Sequence, residues 1–232
     1  LSGQDVVKLP VGDAADPISR DWQDAGKAMM ILQSDMAYEL GGHNLPAVGN
    51  TLVTTEEDFV PEDEIILIGK DLPEITEDTP YARIALVRVA KDSIGTGDRL
   101  YNTIRNIGYF RYHIYPKGFM LRVSSSNDRE SVRVAAEALN EGLNFTAIGN
   151  AILRALHLHK EVEAVRIIFI TDPKVDYGRL QDGLKKTKQI TATIDHMLKD
   201  VNMDCGSCGL QEICDEIEGL REMHFGMSEE HT

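Results

Sequence analysis

All three cysteines of this 232-residue chain fall within one short stretch, as Cys205, Cys208 and Cys214. A thiol is a soft metal ligand and an oxidisable group, and clustering at CxxC-x5-C spacing points two sulfurs of a tight turn at one centre. Gly206 lets the backbone make that turn. A third thiolate reaches the same centre if the chain folds back. Iron–sulfur clusters and tetrahedral zinc both use such arrangements. The rival readings are a reversible CxxC disulfide with a spare thiol, and reduced cysteines packed in a small core. Zinc would want a fourth ligand, and His224 is the candidate. It sits about 15 Å further along a straight helix, so it reaches the site only if the helix breaks, for instance at Gly219.

A second chemistry is offered by cations. Arg99, Arg105, Arg111, Lys117, Arg122, Arg129 and Arg133 are met by only Asp128 and Glu130 between them, and Tyr109, Phe110, Tyr112, Tyr115 and Phe119 are interleaved. Guanidinium forks suit phosphate oxygens, and aromatic rings suit an adenine. Arg105, Arg111, Lys117 and Arg122 are therefore the candidate cofactor-binding residues, for a ligand that bears phosphates and a ring to stack. The bland alternative is a solvated charged face on a strand pair. His157 and His159 lie two apart on an expected helix, point to different faces and do not make a site.

The net charge is −14, which argues against nucleic acid and against an anionic membrane surface as partners. No apolar run is long enough to span a bilayer, and no signal-peptide pattern is present. Three clustered cysteines do not make a secreted disulfide framework, so a reducing cytoplasm is expected. The sequence opens at Leu1, not Met, which is compatible with a piece of something longer.

The elements expected to position these residues are α+β in pattern. Residues 1–20 read as a leading arm, broken by Pro10, Gly12 and Pro17. Asp21–Leu40 holds a short helix or strand, ended by the turn chemistry of Gly41 to Pro46. Asp63–Gly69 and Ile84–Ala90 read as buried strands, and Arg99–Ile107 as a helix. The turn before that helix is too weak a phosphate-loop signal to support nucleotide binding. Tyr109–Val123 suggests a hairpin or two short strands. Asn127 to Glu130 is expected to cap a helix running through Leu139, with Val132, Val134, Ala135 and Leu139 buried. Asn144–His159 is a second helix, Val165–Asp172 the clearest strand, and Lys174–Asp200 a long polar helix. After the CxxC turn, Leu210, Ile213, Ile217, Leu220 and Met223 recur at helical spacing. The expected architecture is a mixed β-sheet with packed helices over 1–200, followed by a short cysteine-bearing helical appendage over 201–232.

Several stretches, in this order, carry a resemblance. They are Asp35–Gly42 (DMAYELGG), Ile66–Ile75 (ILIGKDLPEI), Ile84–Val89, Gly118–Ser124 (GFMLRVS), Ile168–Asp172 with Lys174 and Val175, and the CxxC. Together they resemble the beta subunit of the carbon monoxide dehydrogenase/acetyl-CoA synthase system: the middle domain of acetyl-CoA synthase running into its cluster-bearing domain. No single motif is specific, and the shared order over most of the chain carries the likeness.

That resemblance implies an acyltransferase of anaerobic C1 metabolism, in which nickel bridged to a 4Fe-4S cluster joins carbon monoxide, a methyl group and coenzyme A. It implies that Cys205 and Cys208 match the first CxxC of the cubane ligands, with Cys208 the thiolate shared with nickel. Cys214 falls where the third ligand would, although the family's gap there is longer. The departures are a missing fourth cubane cysteine, a missing Cys-Gly-Cys nickel chelate and a missing first domain. Arg111 stands where the family presents a tryptophan to coenzyme A, since the sole tryptophan here is Trp22. Full acetyl-CoA synthesis by this chain alone is therefore not expected. A partner protein or a second copy of the chain would complete the metal site. Two other readings stay open: a zinc-stapled, non-catalytic interaction domain, and a CxxC redox sensor.

Overall fold

The computed structural model describes residues 6–12, 22–26, 29–42, 44–91, 98–112, 114–124 and 129–187. Cys205, Cys208, Cys214, His224 and the helix expected after the CxxC lie outside the described residues. These fall in two compact units: those within 6–91 and 104–177, and those within 98–103 and 178–187.

The first unit is built on two sheets. The larger has five strands in the order β1 (Val6–Leu9), β4 (Glu64–Ile68), β8 (Val162–Ile170), β5 (Tyr81–Val89) and β3 (Ala47–Thr54). It is mixed. β4 runs parallel to β8 and β3 parallel to β5, whereas β5 is antiparallel to β8 and β1 to β4. The near-continuous apolar runs of β4 and β8 suit strands paired on both sides and covered, which is where they lie. The mixed sheet with packed helices is the α+β architecture that the sequence implies.

One face of this sheet carries Ile65 and Leu67 of β4, Val165, Ile167 and Phe169 of β8, and Tyr81, Ala85 and Val87 of β5, all buried. Against it packs α3 (Phe145–Leu156). Asn144 caps this helix, its side chain accepting the Ala147 N–H at 2.8 Å. Gly149 lets it approach: a Cβ there would stand 2.7 Å from Ile65 Cδ1. The Phe145 ring stacks on Phe169 with centroids 4.5 Å apart. Asp71 ties the 3-10 turn Leu72–Glu74 to the same helix, accepting the N–H of Leu72 at 2.7 Å and of Phe145 at 2.8 Å.

The smaller sheet is antiparallel, in the order β2 (Met36–Leu40), β7 (Glu130–Ala135) and β6 (Phe119–Val123). Here the structure corrects the sequence reading. Glu130–Ala135 is a strand, and only Ala136–Asn140 is helical (α2). Glu130, Val132 and Val134 are fully buried at alternate positions, a two-residue period that is a strand's and not a helix's. β1 and β3 are further strands that the turn-rich sequence around them hides. The Tyr109–Val123 stretch is a 3-10 turn, Tyr109–Tyr112, followed by β6 alone. Helix α1 (Asp98–Gly108) lies where expected, and residues 177–187 are helical as the polar-helix reading implies.

Candidate anion-binding site

Alternation along β6 and β7 separates two chemistries. Phe119, Leu121 and Val123 sit opposite Val134, Val132 and Glu130, forming the face turned to the core. On the other face Met120 is opposite Arg133 and Arg122 opposite Ser131, and Glu39 of β2 is paired with Arg133 from the far side. Period two therefore gathers the cations of two strands on one surface.

That surface borders a pocket of about 450 Å³ lined by Glu39, Gly41, Gly42, Arg122, Ser124 and Arg129, among others. Glu39 Oε1 accepts from Arg133 Nε at 2.6 Å and from Arg122 Nη1 at 3.1 Å. Arg133 also donates to the Ile31 carbonyl at 3.1 Å. Arg129 donates to the carbonyls of Gly41, at 2.7 Å, and Gly42. Gly41 takes φ 61, and a Cβ there would stand 2.4 Å from that of Ala47, so this turn excludes side chains. The arrangement presents two guanidinium groups and the Ser124 hydroxyl in a concave, polar setting, which is how oxyanions are held.

Behind the pocket, the inner face carries one charge. Glu130 is fully buried and meets Arg83 of β5 through two bonds, Nε to Oε1 at 2.6 Å and Nη2 to Oε2 at 2.8 Å. Burial pulls the Arg83 pKa down, and the adjacent Glu130 carboxylate outweighs it, so the net shift is upward. The Arg83 guanidinium also lies over the Phe110 ring, 5.1 Å from its centroid. This pair joins the two sheets.

The expected cofactor-binding cations are distributed as follows. Arg122 lines the pocket. Arg111 extends to the buried pair, its Nη1 3.8 Å from Glu130 Oε2. Lys117 holds Glu141 at 3.0 Å, a hydrogen bond that raises its pKa. Arg105 lies over the ring of Tyr109, 5.4 Å from the centroid, and donates to its hydroxyl at 3.2 Å. Trp22 lines a second pocket of about 280 Å³ with Ile114, Tyr115, Pro116, Ala151 and Arg154. Its indole N–H donates to the Lys117 carbonyl at 2.5 Å. Glu39 is a site residue that sequence reasoning did not single out, and Arg129 and Arg133 were named there only as part of the cation run. The signal for them was the Val132/Val134 alternation, which places Arg133 beside Met120 once read as a strand. His157 Nε2 lies 2.8 Å from the Asp63 carboxylate, to which its Nε2–H tautomer donates. Among the described residues, no three His, Cys, Asp or Glu side chains converge as a metal site.

The strands and arginines described above fall within a stretch that matches one family model. Residues 24–175 match the model of the CO dehydrogenase/acetyl-CoA synthase complex beta subunit. The chain belongs to that family. The match takes in both sheets apart from β1, together with α3 and the whole arginine pocket. It stops short of the cysteines. No curated protein matches the chain. Among the described residues of this family member, no helix is long and apolar enough to cross a membrane.

Proposed function

We propose that this chain is a coenzyme-A-binding, cluster-bearing module of an acetyl-CoA-synthase type enzyme of anaerobic CO and C1 metabolism. The observation that carries it is the Arg122 and Arg129 pocket within the stretch matched to the family. Coenzyme A bears phosphates that guanidinium forks can pair, and Arg122 and Arg129 present such forks on the pocket wall. In this reading Arg122 and Arg129 bind and orient the phosphate end. Ser124 adds a neutral donor, and the buried Arg83–Glu130 pair keeps the strand that carries Arg133 seated on the larger sheet.

The metal reading rests on the donor set. Cys205, Cys208 and Cys214 are three soft thiol ligands at CxxC-x5-C spacing in the sequence, which suits a 4Fe-4S cluster lacking one cysteine from this chain. Such a cluster, when bound, supplies electron storage and one iron open to a ligand. A partner subunit or a second copy of the chain supplies the remaining ligand, in a reducing, cytoplasmic setting. Acyl transfer by this chain alone is not part of the proposal.

Two measurements test it. Protein purified without oxygen should contain iron and acid-labile sulfide in equal amounts, and lose both in Cys205→Ser with Cys208→Ser. Zinc without sulfide would replace the cluster by the zinc-stapled, non-catalytic reading. Calorimetry should detect coenzyme A binding that weakens about tenfold in Arg122→Ala, since a charge-assisted hydrogen bond is worth about 1.5–3 kcal/mol. No binding by the unaltered chain would remove coenzyme A from the reading.

A further inference from the structure

We infer that Glu39 is a specificity residue, which makes the arginine pocket select a doubly charged phosphate monoester over singly charged oxyanions. The inference rests on reading this pocket as the coenzyme A phosphate site.

Arg122 and Arg129 line the pocket, Arg133 reaches Glu39 beside them, and the three guanidinium groups are held differently. Arg133 is anchored to the Ile31 carbonyl and Arg129 to the carbonyls of Gly41 and Gly42. Arg122 is the outermost, with 46 % of its side chain exposed, and its bond is to Glu39. Glu39 is itself pinned. Its side chain is only 13 % exposed, its Oε1 also takes Arg133, and its backbone N–H donates to Asp78 Oδ1 at 2.7 Å. Gly42 closes the other side, where a Cβ would stand 3.1 Å from Glu39 Oε2 and 3.2 Å from Asp78 Oδ2.

The charged groups lining the pocket are thus Glu39 from β2, Arg122 from β6 and Arg129 just before β7, while Arg133 from β7 and Asp78 from the loop before β5 are bonded to Glu39. Glu39 already gives Arg122 what a monoanion could give it, a single negative charge on an oxygen. A monoanion that displaces it exchanges one carboxylate-like partner for another and gains little. A phosphate monoester carries up to two negative charges and three strong acceptor oxygens. It can bridge Arg122 and Arg129 while Glu39 stays with Arg133. Coenzyme A has one such group, its 3′-phosphate, whereas its diphosphate carries one charge per phosphorus. The pocket would therefore read the 3′-phosphate.

Calorimetry with coenzyme A and 3′-dephospho-coenzyme A tests this on the unaltered chain, on Glu39→Gln and on Arg122→Ala. The unaltered chain should prefer coenzyme A by about tenfold, equivalent to about 1.4 kcal/mol. Glu39→Gln should narrow that preference to about threefold by tightening the dephospho form, and Arg122→Ala should abolish it. Equal binding of both forms by the unaltered chain, or an undiminished preference in Glu39→Gln, overturns the inference. Should coenzyme A bind to none of the three, that reading of the ligand fails, and inorganic phosphate then decides about Glu39. It is titrated at about pH 8.5 and about pH 5.5, on either side of the second ionisation of inorganic phosphate, which lies about one unit above that of a monoester. Binding of the dianion alone by the unaltered chain, and of both forms by Glu39→Gln, upholds the role of Glu39. Identical behaviour of the two proteins, including no binding by either, ends it. If Glu39→Gln melts far below the unaltered chain, Arg122→Ala carries the test alone: retained preference overturns the inference.

Discussion

Arg83 and Glu130 lie on different sheets and meet through two parallel bonds, with side chains 3 % and 0 % exposed. A buried, bidentate pair of this kind contributes little against an apolar replacement, but removing one partner strands a charge. Glu130→Ala is expected to destabilise by roughly 3–5 kcal/mol. Arg83→Met combined with Glu130→Leu should recover most of that loss. Denaturant unfolding of the two variants measures the difference, and equal losses would show that the pair does not act as a unit.

Gly49 is paired with Arg83 across β3 and β5, directly beneath the Glu130 carboxylate. A Cβ at this position would come 2.1 Å from Glu130 Oε2. Gly49→Ala should cost about 1–3 kcal/mol or more, by pushing the carboxylate off its partner. Gly183, which has nothing within 4 Å of an added Cβ, provides the contrast within the helical residues 177–187. Gly183→Ala should gain about 0.5–1 kcal/mol. Thermal melts that rank the two alanines alike would contradict this reading of the sheet contact.

Acid should act on the fold through two carboxylates with opposite signs. The hydrogen bond from Lys8 holds Glu64 below its ordinary pKa of 4.5, with Arg166 adding to it against burial. That stability is present above pH 4.5 and is lost as pH falls through the lower, folded value. Burial instead raises Asp71 above its ordinary 3.8, against the two backbone N–H groups it accepts. The folded protein then holds that proton more tightly, so Asp71 subtracts stability as pH rises through this window. Glu64→Gln should flatten the acid limb of a stability-versus-pH curve, and Asp71→Asn should steepen it. The reverse pattern would mean that the Lys8 pair does not persist in solution and that the backbone bonds to Asp71 outweigh its burial.

Tyr38 reaches from the small sheet to the 3-10 turn, its hydroxyl donating to the Leu72 carbonyl at 2.6 Å in a buried setting. Burial, then the nearby Asp71 charge, raise its pKa, so the hydroxyl remains a donor throughout the working pH range. Tyr38→Phe is expected to lose roughly 0.5–1.5 kcal/mol plus the cost of an unsatisfied carbonyl. Hydrogen exchange at Leu72 to Ile75 and equilibrium unfolding check it. An unchanged midpoint would argue that the bond is not made in solution.

The strands β4, β5 and β8 are legible as apolar runs bounded by charge and glycine, because a strand covered on both faces needs no alternation. Helix α3 is legible from Asn144 and the helical spacing of Ile148, Ile152 and Leu156, which the core indeed covers. β7 is less legible. Ser131 to Ala135 alternates, but it runs straight into Ala136, Glu137, Ala138 and Leu139, whose helix propensity colours the whole segment. Reading it as a helix stacks Arg129 and Arg133 on one helix face and leaves Arg122 on a separate element.

The cysteine cluster, the acid excess and the local run of cations are properties of the chain itself, because thiols three residues apart are near neighbours in any fold. Nothing of that kind brings Glu39 to Arg122 and Arg133, which are 83 and 94 residues further along. The same holds for Arg83 and Glu130. These contacts exist because the antiparallel register of β2, β7 and β6 sets one side chain opposite another, and because the small sheet lies against β3 and β5. Register is a property of pairing between strands, and a one-residue slip would turn every arginine of the pocket to the other face.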